Sequence, residues 1–126
     1  MNNLIVDAAK DKIILTLIAN RNIYTSRHEN SKMNFDKIII LINDLLKINK
    51  KSFDELDNIY ANIGPGSFSG IRNSLSVIKA LFLTKKINYY CFSFLEFGQS
   101  NQVKYEDVPN LCEKFKIKKN LINPIY

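Results

Sequence analysis

Residues 64–72 read Gly-Pro-Gly-Ser-Phe-Ser-Gly-Ile-Arg and lie between an apolar run ending at Ile63 and a helix-period run beginning at Ile71. Gly64, Gly66 and Gly70 are three of the four glycines in the chain, concentrated where a backbone must turn sharply or lie against another group. Ser67 or Ser69 can cap the helix that follows, and Arg72 falls in its first turn. A helix N-terminus offers unpaired N–H groups and partial positive charge, which suit a phosphate or carboxylate. The standard phosphate fingerprints are nevertheless not met. No lysine follows the last glycine, the third glycine comes one residue late for G-x-G-x-x-G, and Pro65 removes an N–H. The residues alone weigh two readings equally: a tight strand-to-helix turn that packs, and an anion cradle.

Other chemistry has fewer residues to work with. His28 is the single histidine, so any hydrolytic triad would need it, and neither Ser67 nor Ser69 is centred in G-x-S-x-G. No H-x-x-x-H or H-E-x-x-H spacing exists for zinc, and Cys91 and Cys112 have neither zinc-ligand nor C-x-x-C spacing. The cysteines read as buried, reduced thiols. Asp7 closes the apolar run Leu4-Ile5-Val6 and reads first as a carboxylate capping the turn at a strand end. We expect no catalytic residue, no metal site and no cofactor.

The elements that must carry the turn follow from periodicity. Leu4 to Asp7, Lys12 to Ala19 and Asn22 to Arg27 read as three strands in succession, separated by the turn-like pairs Lys10-Asp11 and Asn20-Arg21. Asn34 is placed as the cap of a helix running to about Ile48, with Phe35, Ile38, Ile39, Ile42, Leu45 and Leu46 on its inner face. Ser52 and Glu55 form a capping box before a strand over 58–63. A second helix runs from Ser69 to about Thr84, with Ile71, Leu75, Ile78 and Phe82 inward. A fifth strand covers 87–92, and Ser93 with Glu96 caps a short helical turn. Beyond Gly98 the pattern weakens to a polar stretch and a short helix after Asp107 carrying Leu111 and Phe115. The order predicts an α/β fold with a mixed five-stranded sheet.

The chain has 126 residues, 46% of them hydrophobic and 24% charged, which fits one soluble globular domain. With no long apolar run and a polar start, it reads as cytoplasmic with no membrane partner. The net charge of +6 invites nucleic acid, but the dense basic run is confined to Lys114–Lys119 near the end and reads as a solvated face.

Both helices carry more apolar surface than one sheet requires. Ile38 to Ile42 are consecutive, so Ile40 and Leu41 must turn away from the inward stripe; Val77, Ala80 and Leu83 fall opposite Ile71, Leu75 and Ile78. These outward residues, with Asp44 and Ser76 beside them, predict a partner surface. The plainer readings are that the closing segment folds over them, or that 38–42 is a buried strand.

Read as one word, GPGSFSGIR closely resembles the GPGSFTG[LIV]R signature of the bacterial TsaB (YeaZ) family, with Ser69 in place of threonine. Leu4-Ile5-Val6-Asp7, Leu56-Asp57, Lys79 and Ser93-Phe94-Leu95-Glu96 agree in order with that family's first lobe, as do Lys37, Leu45 and Leu46. Asn34, Asn73 and Ser74 depart from its pattern. The resemblance implies a single lobe of the actin-like ATPase (ribonuclease-H-like) fold over residues 1–98, with 99–126 a short tail replacing the second lobe. Only Asn123-Pro124-Ile125-Tyr126 is similar to that lobe's closing motif.

The resemblance also implies the role of a non-catalytic subunit in tRNA adenosine-37 threonylcarbamoylation. Such a subunit binds the catalytic TsaD, or itself, through the two helices, with TsaE as a further partner and tRNA met only through the complex. Gly64, Pro65, Gly66, Ser67, Phe68, Ser69, Gly70 and Arg72 would then form the signature turn, and Ile40, Leu41, Asp44, Ser76, Val77, Ala80 and Leu83 the interface. Asp7 is similar to the magnesium-holding aspartate of active members of the fold, although Ala8 stands where threonine is expected. The alternative is therefore a vestigial nucleotide-binding protein that needs a second chain to complete its cleft. Direct tRNA contact through the basic tail is a third reading.

Overall fold

The computed structural model describes residues 1–98 and 103–117. Five strands form one sheet in the order β3-β2-β1-β4-β5: β1 (Asn3–Asp7), β2 (Lys12–Ala19), β3 (Asn22–Glu29), β4 (Asn58–Asn62) and β5 (Asn88–Phe92). β1, β2 and β3 pair antiparallel, whereas β1–β4 and β4–β5 are parallel. The β2–β3 turn uses Asn20 and Arg21, both at positive φ (52° and 69°), which matches the twist of a two-residue hairpin. A parallel pair cannot be closed by a hairpin, so each needs a crossover. Helices α1 (Lys32–Phe35) and α2 (Ile38–Ile48) supply the first, and α3 (Phe68–Lys85) the second.

Alternation along the strands divides the core between the two faces. Leu4, Val6, Leu15, Leu17, Ile59 and Ala61 face α2 and α3, where Ile38, Ile42, Leu46, Ile78 and Leu81 complete the cluster. Ile5, Tyr60 and Phe92 face the other way, against Phe97 and the short helix α4 (Val108–Lys114) with its buried Val108 and Cys112. The described closing segment therefore packs on the side of the sheet away from α2 and α3. Lys118, Lys119 and the Asn123–Tyr126 motif lie outside the described residues.

Local expectations held where short-range chemistry dictates them. Both capping boxes, Ser52/Glu55 and Ser93/Glu96, are formed. Both cysteines are buried and free. The first helix differs. Ser31, not Asn34, caps a single turn by accepting the Asn34 N–H, and α2 begins afresh after Lys37, so the expected helix is broken at Asp36 and Lys37. Asn34 instead donates its side-chain amide to the Glu29 carbonyl at 2.7 Å. Ile39 is 40% exposed, so the inner stripe of α2 is narrower than the sequence spacing suggests, and the Phe35 side chain lies outside what is described. In α4, Val108 and Cys112 take the buried positions, while Leu111 is half-buried and Phe115 exposed.

Burial pushes the Cys112 thiol from its ordinary 9.0 up to about 12, and raises the Tyr60 phenol with help from neighbouring Tyr90. The unfolded chain then loses these protons at lower pH than the native one, so stability is full below pH 9 and falls as pH rises toward 12. Urea denaturation across that range is expected to show the decline. Cys112→Ala should delay its onset toward pH 10, where the tyrosines begin to ionise. A flat profile up to pH 11 would count against this burial.

Candidate functional site

The turn between β4 and α3 is built onto the β1–β2 connection. Ser67 donates its backbone N–H to the Ala9 carbonyl at 2.8 Å, and its hydroxyl caps α3 by accepting the Gly70 N–H at 3.2 Å. Gly66 lies so close that a β-carbon there would stand 2.1 Å from the Ala9 oxygen. Gly64 sits at φ 111°, a region that favours glycine, and its peptide to Pro65 is cis. Phe68 is 53% exposed, and the Arg72 guanidinium stands 5.9 Å from its ring centre. Gly66 thus serves close packing and Gly64 backbone shape.

Asp7 lies at the foot of this turn, wholly buried. Its Oδ1 accepts from the Ala9 N–H (3.0 Å) and the Asn62 amide (3.1 Å), and its Oδ2 from the Tyr105 hydroxyl (2.6 Å). Asn62 also accepts the Gly64 N–H at 2.9 Å, which ties the carboxylate to the signature turn. Burial, followed by the Asp7 charge and hydrogen bond, raises the Tyr105 phenol, while Arg27 opposes the shift. Beside this network a cleft of about 450 Å³ is lined by Lys10, Asn62, Gly64, Pro65, Ser93, Phe94, Leu95, Val103 and Tyr105.

Three protein donors reach the carboxylate, and no group of three or more His, Cys, Asp or Glu side chains that could hold a metal occurs among the described residues. The turn-capping reading of Asp7 fits this arrangement. Sequence reasoning missed Asn62 and Tyr105. Asn62, a polar residue closing an otherwise apolar strand, was the available signal; Tyr105 had none, since it meets Asp7 across 98 residues of chain.

The outward residues of α2 and α3 divide into two groups. Ile40 is 53% and Leu83 66% exposed, and Asp44, Ser76 and Ala80 are also exposed. Leu41 and Val77 are half-buried and pack against the domain's own core, so they point outward less than their helical positions suggest. Phe82, expected inward, is 41% exposed. α3 instead buries Ile71, Ser74, Ile78 and Leu81, because small Ser74, its hydroxyl satisfied by the Ile71 carbonyl at 2.9 Å, allows close approach on that side. No described helix is long and apolar enough to cross a membrane.

No family model matches the chain. Among solved structures, YeaZ from Pseudomonas aeruginosa superposes with a TM-score of 0.68 at 18% identity, over 73% of this chain and 43% of that one. An uncharacterized protein with similarity to peptidase YeaZ from the same organism gives 0.69 at 17% identity, over 80% and 49%. RuvC of T. thermophilus, solved with a Holliday junction substrate, gives 0.54 at 9% identity, over 99% and 85%. The architecture is therefore that of the ribonuclease-H-like, actin-like ATPase class, a mixed five-stranded sheet flanked by helices. In sequence, the chain is 35% identical over 65 residues to the tRNA threonylcarbamoyladenosine biosynthesis protein TsaB of Buchnera aphidicola subsp. Baizongia pistaciae. That match and the nine-residue turn support assigning the chain to the TsaB/YeaZ family. The matched stretch is 44% of this chain and 29% of that TsaB.

Proposed function

We propose that the chain is a non-catalytic subunit for threonylcarbamoyladenosine synthesis on tRNA, binding and stabilising the catalytic subunit TsaD through the outer faces of α2 and α3. In this reading residues 1–98 are the docking lobe. One observation carries it: the helix begun by the signature turn and its neighbour leave Ile40 and Leu83 largely exposed, while the described closing segment packs on the opposite sheet face. Removing such side chains from water contributes about 1.5–3 kcal/mol each, enough for a few of them to offset much of the entropy lost on association. Exposed Ser76 and Ala80 leave room for close approach of a partner helix.

The centre of this face, Ile40, Ser76, Ala80 and Leu83, is exposed and uncharged, which favours a protein partner there. Calorimetric titration of TsaD into the chain is expected to show saturable one-to-one binding. Absence of binding, with both proteins folded, would overturn the proposal. The nucleotide-binding alternative draws no support from Asp7, whose oxygens are already engaged by Ala9, Asn62 and Tyr105.

A further inference from the structure

We propose that residues 103–117 form a separable strap across the second face of the sheet, latched by the hydrogen bond from the Tyr105 hydroxyl to Asp7, and that its release opens the cleft beside the signature turn. The proposal stands apart from the docking reading, since it concerns the opposite face.

The strap consists of a single turn at Tyr105–Asp107 and the seven-residue α4. Elements this short are not stable alone and depend on what they pack against. Their fully buried apolar anchors are Val108 (0% exposed) and Cys112 (2%), with Val103, Leu111 and Ile117 half-buried against the same cluster, an edge contact between Phe94 and Tyr105 (6.0 Å) and a Phe97–Phe115 contact (5.8 Å). The outward residues Lys104, Glu106, Asp107, Glu113 and Lys114 are exposed and charged. Small units with few buried anchors open at lower free energy than the global fold.

Tyr105 joins the strap to the rest of the molecule in two ways. Its hydroxyl is one of three donors to a fully buried carboxylate, and hydrogen bonds to an ionised acceptor are the stronger kind. Tyr105 and Val103 also form one wall of the cleft that Lys10, Gly64 and Pro65 face. When the strap lifts, Asp7 loses a donor and the cleft loses that wall. Asn62 carries the change to the turn, because the amide that bonds Asp7 belongs to the side chain that holds the Gly64 N–H.

Cys112 provides a native reporter, being a strap thiol that the closed state covers and whose raised ionisation keeps it unreactive. The test is iodoacetamide labelling of the full chain at pH 8, resolved by peptide mass spectrometry, with amide exchange followed on the same samples. Tyr105→Phe keeps the ring against Phe94 and removes only the latch. Cys112 labelling is expected to rise about tenfold while amides of β1, β2 and α3 exchange as before. An unchanged labelling rate would show that packing alone holds the segment. A parallel rise in labelling and in exchange throughout the sheet would show that the segment opens only with global unfolding. Either result overturns the proposal.

Discussion

Gly66→Ala is expected to destabilise the protein by about 3 kcal/mol. The added carbon would stand 2.1 Å from the Ala9 oxygen and 2.9 Å from the Ala9 carbonyl carbon, so backbone rather than a flexible side chain must yield. Yielding pulls Ser67 from the same Ala9 carbonyl and disturbs the cap of α3. Gly98 supplies the contrast. Its φ of 76° disfavours a side chain, but nothing lies within 4 Å of the added carbon, so Gly98→Ala should cost only about 1 kcal/mol. Urea denaturation of the two variants separates close packing from backbone conformation; equal losses would mean that the turn does not rest on Ala9 as described.

Asp7→Ala is expected to cost about as much, for a different reason. The substitution leaves the Ala9 N–H and the Asn62 amide buried without their acceptor, each an uncompensated donor costing about 1–3 kcal/mol. Tyr105 is only half-buried and can turn its hydroxyl toward water. Removing a buried charge returns part of the loss, so the expected net is about 3 kcal/mol. Against a total stability of about 5–15 kcal/mol, either loss is a substantial fraction. An Asp7→Ala protein with unchanged urea midpoint would contradict the network drawn around the carboxylate. So would magnesium-dependent stability of the parent chain that Asp7→Ala removed.

What the sequence disclosed depends on the range over which each feature is determined. The five strands, the Asn20-Arg21 turn and the two capping boxes follow from neighbours within a few residues, and each is found in place. The break before α2 was hidden because Asp36 and Lys37 are ordinary helix residues, and Ser31 offers a cap that competes with Asn34 only once β3 has fixed where the chain arrives. Phe82 was misplaced by one helical position. The spacing 71, 75, 78, 82 fits the helical period as well as 71, 74, 78, 81, and only tertiary packing chose the stripe containing a serine. The Asp7, Asn62 and Tyr105 cluster joins residues far apart in the chain, where local patterning is silent. The signature turn was legible as a word, but its close packing on Ala9 required the fold.

The docking claim is tested most directly by charge placed at its centre. Ile40→Asp and Leu83→Asp alter side chains that are 53% and 66% exposed, so each should leave the unfolding free energy from urea denaturation within about 0.5 kcal/mol of the parent. Calorimetry with TsaD should then show binding weakened at least a hundredfold by the pair of substitutions. Unchanged affinity with both aspartates in place would contradict the account.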